Sequence, residues 1–512
     1  MKNRLFPLIV ISIIFFNTVD AKKKEVLPKY RYLDKIEFKD TTLCKLKGPA
    51  RIVKQDGREG LNITSIHSVL QLKAHTLNEK HGTVTLWVMS LEDMQCYPNQ
   101  GSMKMNNPDY RTYPFLSDNP NPQNYDDANF KFVWQLNWHP SVIVQFSKGN
   151  FYHGAFVYPH KAVTSACHFS FKANTWYQFS LSWDYEAEHY SLYVNGILIG
   201  REDQYRATSL AHDKVNPSLF TGNPTLCYSD ICFYDQTLTP SEIEVNFRKE
   251  HTHFDAELDK EMRYTYLGEG REKFTWLPDK SWVNSLNLSL QTSSDRDSLY
   301  LQGNPVDLHI TDEGMLFETL NKEYTGALLD SQAYVWTKKP FEGDLYVEYE
   351  FKVLRRGGLS LLMVQASGMN REDFMSDYPL KTTGSMITVF GENVRNYHWE
   401  YYREMIGIRN DIQNSVLVKN PFLYPVCYGA IDKPFKLNEW NKLQFRQIGN
   451  KLIGAINGVV MVEYADTATG NNGPVYNAGH IAIRCMIRSK ILFRNLKVYN
   501  RSQVDEIRTL NN

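Results

Sequence analysis

Eight consecutive residues, Asn396-Tyr397-His398-Trp399-Glu400-Tyr401-Tyr402-Arg403, set an imidazole, a carboxylate, phenols and a guanidinium side by side. Such groups suit β-elimination next to a uronate carboxylate. That reaction needs a cation or donor to neutralise the carboxylate, a base for the C5 proton and an acid for the leaving oxygen. In an extended strand, side chains alternate between two faces. His398, Glu400 and Tyr402 then fall on one face, and Tyr397, Trp399, Tyr401 and Arg403 on the other. His398 and Tyr402 are the expected base and acid, in either order. Tyr401 and Arg403 complete the candidate set, since a bulge would let Arg403 cross to the first face. The plainer alternative is a strand whose aromatics pack a core and whose polar face is solvated.

A second guanidinium stands in Gly479-His480-Ile481-Ala482-Ile483-Arg484, where alternation puts His480, Ala482, Arg484 and Met486 on one face and the isoleucines on the other. Arg484 is the expected bidentate grip on a carboxylate; Arg494 reads as a buttress of the closing strand. Trp336, Gln365, Arg371 and Trp399 are the expected saccharide contacts, with Asp373 beside them at the edge of a groove. A turn held by Arg371–Asp373 pairing is the simpler account of that segment. Glu348 and Glu350, two apart on a strand, project from one face and offer the acid/base pair of a glycoside hydrolase. A solvated outer face is the commoner explanation of such a pair.

The first half concentrates Trp134, Trp138, His139, His153, His160 and His168, at spacings that match no zinc motif. No metal or cofactor is expected, apart from a structural calcium held by loop carboxylates such as Asp184 or Asp235, for which no full ligand set can be assembled.

These side chains need strands to hold them. Thr83–Val88, Phe132–Leu136 and Trp176–Trp183 read as short strands in the first half, and Tyr346–Phe351, Leu359–Val364, Leu443–Arg446, Lys451–Asn457 and His480–Arg484 in the second. Asn195-Gly196 and Asn457-Gly458 sit between apolar arms as hairpin turns. Between the halves, residues 251–280 are charged and form a linker packed on both, with a short helix over Asp255–Met262. The expected organisation is a signal peptide at 1–21, a β-sandwich over 22–250, this linker, and a second sandwich over 281–500 that carries the chemistry.

Trp176-x-x-Phe179, Tyr193-Val194-Asn195-Gly196 and Asp235-x-x-Leu238-Thr239-Pro240-Ser241-Glu242-Ile243 together resemble the laminin-G and pentraxin-like fold over roughly residues 45–250. The second half resembles the YesU family of bacterial rhamnogalacturonan-utilisation clusters over roughly residues 285–500. The resemblance is carried by Trp336, Gly358-Leu359, Ala366-x-Gly368 with Arg371-Glu372-Asp373, His398-x-x-Tyr401-Tyr402-Arg403, Asn457-Gly458, Gly473-Pro474-Val475, Gly479-x-Ile481 with Arg484, and Phe493-Arg494. Residues 413–418 depart from that family's pattern. Together the resemblances imply an all-β chain of two concanavalin A-like jelly rolls. They also imply work on plant or algal polysaccharides rich in uronic acid and rhamnose, such as ulvan or rhamnogalacturonan.

Lys plus Arg and Asp plus Glu both total 57, which removes the electrostatic drive toward nucleic acid or an anionic membrane. The partner is expected to be a polysaccharide or oligosaccharide. Lys2 and Arg4 before the apolar run Leu5–Phe16 read as a secretory leader, too short to span a bilayer, so export to the periplasm or beyond is expected without membrane insertion. Seven cysteines allow one or two disulfides, Cys227 and Cys232 being the nearest pair, and leave at least one thiol over. The expected activity is that of a dehydratase or lyase that removes a C4 substituent; a hydrolase using Glu348 and Glu350 and a non-catalytic lectin are its rivals.

Overall fold

The computed structural model describes residues 32–501 apart from 39–43, 66, 73–80, 94–111, 118–131, 138–140, 147–162, 169–171, 185, 188, 203–218, 223, 305, 320–331, 378–392, 405–414, 422–423, 430–435, 469–472 and 487. The leader lies outside these residues, as do the side chains of Trp134, Trp138, His139, His153, His160 and His168.

Four antiparallel sheets carry the chain, two built before residue 235 and two after residue 282. The first sheet runs Ile197–Glu202, His189–Val194, Trp176–Asp184, His81–Ser90, Leu226–Tyr234, Arg58–Asn62 and Arg51–Gln55, and its partner sheet includes Phe132–Asn137. Val84, Leu86 and Val88 point into the core between the sheets, while Trp87 and Met89 join a second apolar cluster on the outer face. Helix Pro240–Glu250 covers that outer face and brings Phe247 within 5.9 Å of Trp87, centroid to centroid. A strand covered on both faces reads as nearly continuous burial, and His81–Ser90 does so after its first residue. The Leu238–Ile243 segment makes the cap of this helix: Thr239 and Glu242 form a reciprocal capping box, with Pro240 in the first turn.

The linker helix spans Ala256–Met262 with Asp255 as its cap, and ends through a π-turn, Arg263–Leu267, at Gly268. Leu258, Met262 and Tyr266 pack into the first core. Arg271 then reaches the second sandwich, donating to the carbonyls of Val460 and Met461. Trp276 stacks on Tyr346 at 3.6 Å.

In the second sandwich one sheet runs Val306–Ile310, Met315–Thr319, Lys490–Arg501, Asp344–Val353, Asn441–Ile448, Lys451–Ile456 and Val459–Ala465. Facing it is the sheet Leu299–Asn304, Gln332–Thr337, Ala478–Met486, Gly358–Gly368, Val394–Glu404, Val416–Asn420 and Tyr424–Tyr428. Val347, Tyr349, Phe351 and Phe445 of the first meet Leu362, Val364, Trp399 and Ile483 of the second in one core. Both expected hairpins form with the positive φ pair of a type I′ turn, at Asn195 and Gly196 (51° and 77°) and at Asn457 and Gly458 (52° and 79°).

Cys44, Cys227, Cys232, Cys427 and Cys485 are free thiols. The nearest pair is therefore not bridged, and burial pushes the Cys232 thiol up to about 12. Among the described residues no helix is long and apolar enough to cross a membrane.

Gly454 lets the two sheets close: a Cβ there would lie 2.8 Å from ring carbons of Trp399 and 2.9 Å from Val462. Gly454→Ala is expected to cost about 1–3 kcal/mol by overpacking, read as a lowered denaturation midpoint.

Candidate functional site

The sheet holding Gly358–Gly368 is buried on both faces. Its outer face carries a separate cluster that includes Tyr334, Trp336, Leu361, Met363, Phe374 and Ala482. Backbone register arranges this face in rows. One row crosses five strands as Gln302, Tyr334, Arg484, Leu361 and Glu400; the next runs Tyr300, Trp336, Ala482, Met363 and His398. Neighbouring strands lie about 4.8 Å apart, so Arg484 and Glu400 stand roughly 10 Å apart at the backbone. Leu361, Met363 and Ala482 form an apolar floor between them.

On one side of that floor is an aromatic platform. Trp336 donates its indole N–H to Gln302 Oε1 at 2.8 Å and stacks on Tyr334 at 5.5 Å, with Phe374 edge-on at 5.0 Å. The Arg484 guanidinium lies 5.3 Å from the Tyr334 ring centroid, only 2% exposed, and donates to Gln332 Oε1.

Across the floor is His398, fully buried, with Nδ1 3.0 Å from Asn420 Nδ2 and Nε2 3.6 Å from Glu400 Oε1. His480 closes the end of the face: its Nδ1 is 2.8 Å from the Thr337 carbonyl and its Nε2 2.8 Å from Asp373 Oδ1. Behind Asn420, on the interior side, Lys419 pairs with Asp466 at 2.6 Å, and Asp466 also accepts from the Tyr397 hydroxyl. Burial lowers the Lys419 ammonium against the opposing pull of Asp466, and burial with Asp466 raises the Tyr397 phenol far above its ordinary value.

Several sequence expectations need correction. The ladder between Gly358–Gly368 and Val394–Glu404 slips by one residue, so Ser360 faces Tyr402 while Leu361 faces Glu400. Tyr401 is the extra residue of a bulge, and it reverses the parity that would have placed Tyr402 beside His398. Both tyrosines enter the core. Tyr401 shares a 2.6 Å hydrogen bond with Ser360, and Tyr402 donates to the Gly357 carbonyl at 3.2 Å. Burial also pushes the Tyr401 phenol well above its ordinary value, and both hydroxyls are engaged inside the core rather than on the outer face. Position 403 pairs with Leu359, and the Arg403 side chain lies outside the described residues.

Trp399 is a core residue too, donating to Ser415 Oγ and packing on Tyr401 and Phe445. Gln365, at φ 54° in a second irregularity, turns between the sheets and donates to the Gly343 carbonyl and Gln447. Arg371 is exposed in a turn, and Asp373 is engaged by His480. Glu348 and Glu350 occupy the outer face of the opposite sheet, tied to Lys442 and Lys497 and to Arg494 respectively. Burial raises the Glu348 carboxyl, but Lys442 and Tyr346 outweigh it and hold it below the ordinary value. That is the wrong direction for a catalytic acid. Asp184 accepts from the Ala187 N–H.

Trp336, His398 and Arg484 thus share the outer face, and His480 joins them. Tyr334, Gln302, Glu400 and Asn420 belong there without an assigned role from sequence. Tyr334 was reachable, because it stands two positions before Trp336 in the alternating strand Gln332–Thr337.

Tyr402→Phe is expected to leave any activity near that of the natural chain and to cost roughly 1 kcal/mol, the worth of one hydrogen bond. Tyr401→Ala should cost about 3–5 kcal/mol, as other large aromatic truncations do. Glu348→Gln should likewise spare turnover. It should lower stability at neutral pH, with the deficit vanishing in acid, because a carboxyl lowered in the folded state contributes stability above its ordinary value of 4.5 that the natural chain loses as pH falls through the folded value. Thermal melts of each variant at neutral and acid pH, beside its turnover, check all three.

No curated protein matches the chain. Among solved structures it is similar to a "Protein of Unknown Function with Galectin-like Fold from Bacillus subtilis", with 18% identity over 43% of this chain and 99% of that one and a TM-score of 0.37. It is also similar to the carbohydrate-binding module CBM66 from Bacillus subtilis (11% identity, 39% and 93% covered, TM-score 0.25). A third likeness is to a non-specific endo-β-1,3(4)-glucanase from family GH16 (10% identity, 45% and 96% covered, TM-score 0.31). Residues 289–498, which include the whole polar face, match the family described as "Domain of unknown function (DUF1961)".

Proposed function

We propose that the protein is an exported carbohydrate-active enzyme that binds a uronate-bearing saccharide, ulvan- or rhamnogalacturonan-like, on this polar face and expels its C4 substituent by β-elimination. One observation supports the reading above others: the register sets Arg484 on one side of an apolar floor and the His398–Glu400 pair on the other. In the reaction the C5–H bond breaks and its proton passes to a base. The electron pair forms the C4–C5 double bond, and the C4–O bond breaks as the leaving oxygen takes a proton. Arg484 holds the carboxylate and draws off the charge that develops at C5. The His398–Glu400 pair serves the proton transfer, in place of the Tyr402 expected from sequence, and Trp336 and Tyr334 form the aromatic wall. A free C4 hydroxyl makes the reaction a dehydration; a glycosidic oxygen there makes it a lyase cleavage.

Incubating the full chain with uronate-terminated oligosaccharides is expected to raise ultraviolet absorbance from the new conjugated double bond, with loss of one water in mass where C4 carries a hydroxyl. Arg484→Lys and His398→Ala should each lower turnover by roughly 10²- to 10⁴-fold with the folded circular dichroism retained. Gain of one water without absorbance would mean hydrolysis, and binding with no mass change on any substrate would mean a lectin. Either result discards elimination.

A further inference from the structure

We infer that Asn420 is a positioning residue that holds His398 as its Nε2–H tautomer, making this imidazole a hydrogen-bond donor and Glu400 the base; the catalytic half of this rests on the reading of the face as a site of elimination. The tautomer itself follows from a chain of hydrogen bonds anchored on the main chain. The Val394 carbonyl can only accept, and Asn396 Nδ2 donates to it at 3.0 Å. That fixes the Asn396 amide and turns its Oδ1 toward Asn420, where Asn420 Nδ2 lies at 2.9 Å. An oxygen there requires a donor, so Asn420 presents its amino group rather than its carbonyl. The second hydrogen of that amino group serves the 3.0 Å contact to His398 Nδ1, which must therefore offer a lone pair. In neutral imidazole the proton then resides on Nε2, the atom 3.6 Å from Glu400 Oε1.

The strands supply the alignment. Asn396 and Asn420 are direct partners in the ladder, and His398 follows Asn396 by two residues on the same face. All three side chains are at most 1% exposed, so bulk water does not compete for these bonds. Tyr476 braces the strand by donating to the main-chain carbonyl of Asn420 at 2.7 Å.

A neutral imidazole that donates through Nε2 can polarise a reacting oxygen without giving up its hydrogen. The C5 proton then goes to the Glu400 carboxylate, the electron pair closes the C4–C5 double bond, and the C4–O bond breaks. The leaving oxygen, hydrogen-bonded by Nε2–H, takes the same proton back from the Glu400 carboxyl. Glu400 ends as it began, and His398 keeps its hydrogen throughout.

Long-range ¹H–¹⁵N spectra of the full chain with ¹⁵N-labelled histidine report the tautomer directly, the His398 signals being those absent from His398→Gln. The expected pattern has Nδ1 at the position of an unprotonated ring nitrogen and Nε2 at that of a protonated one. Asn420→Asp sets an acceptor against Nδ1 and is expected to exchange the two shifts. In turnover it should lose about 10²-fold or more in kcat with a smaller change in KM. Glu400→Gln should lose as much while leaving the tautomer unmoved. A natural chain whose His398 carries its hydrogen on Nδ1 overturns the assignment, even if the Asn420 variants fail to fold. Full turnover in Glu400→Gln overturns the base. The expected tautomer in a protein that forms no unsaturated product upholds the positioning role of Asn420 and overturns the elimination reading alone.

Discussion

The central sheet of the second sandwich is covered on both faces, and that single fact sets the terms for every polar side chain on it. A polar group removed from water costs several kcal/mol unless it is given a hydrogen-bond partner. The sheet answers with partners arranged strand to strand: Trp336 with Gln302, Arg484 with Gln332, His480 with Thr337 and Asp373, and His398 with Asn420. All of these contacts but that to Asp373 cross between strands, so satisfying the groups also fixes their orientation. The buried Lys419–Asp466 pair with Tyr397 does the same on the interior side. Orientation imposed by desolvation is what a reacting site requires.

Strand parity is the second constraint. Without the extra residue at Tyr401, the alternation of Val394–Glu404 would carry Tyr402 outward and place two phenols on opposite faces. With it, both rings enter the core, Tyr401 against Tyr349 and Phe351, while His398 and Glu400 stay outside. The bulge thus lets one short segment supply core volume at one end and polar groups to the outer face at the other.

The same carboxylate chemistry has a different meaning on the two sheets. Glu348 and Glu350 sit among Lys442, Lys497 and Arg494 on the face away from the core, where ion pairs occupy them. Glu400 instead stands beside a buried imidazole. Residue type and spacing are alike; what separates them is which sheet the strand joins and what packs on it.

Much of the fold was legible in the sequence because its signals are local. Alternation marked the strands, and Asn-Gly marked two hairpins whose left-handed backbone other residues resist. The shared face of His480, Ala482 and Arg484 was also determined by the two-residue period alone, as was the placing of His398 and Glu400 on one face. The sequence could not reveal where that period breaks. A bulge depends on how a strand fits its partner, here Ser360 and Leu361 some forty positions away, so the fate of Tyr401 and Tyr402 was decided only when the sheet assembled. The same holds for Trp399 and Gln365, drawn between the sheets by packing against Phe445 and Gln447. Pairing across strands likewise brought Tyr334 to Arg484 and Asn420 to His398, contacts between residues distant in the chain that no local pattern encodes.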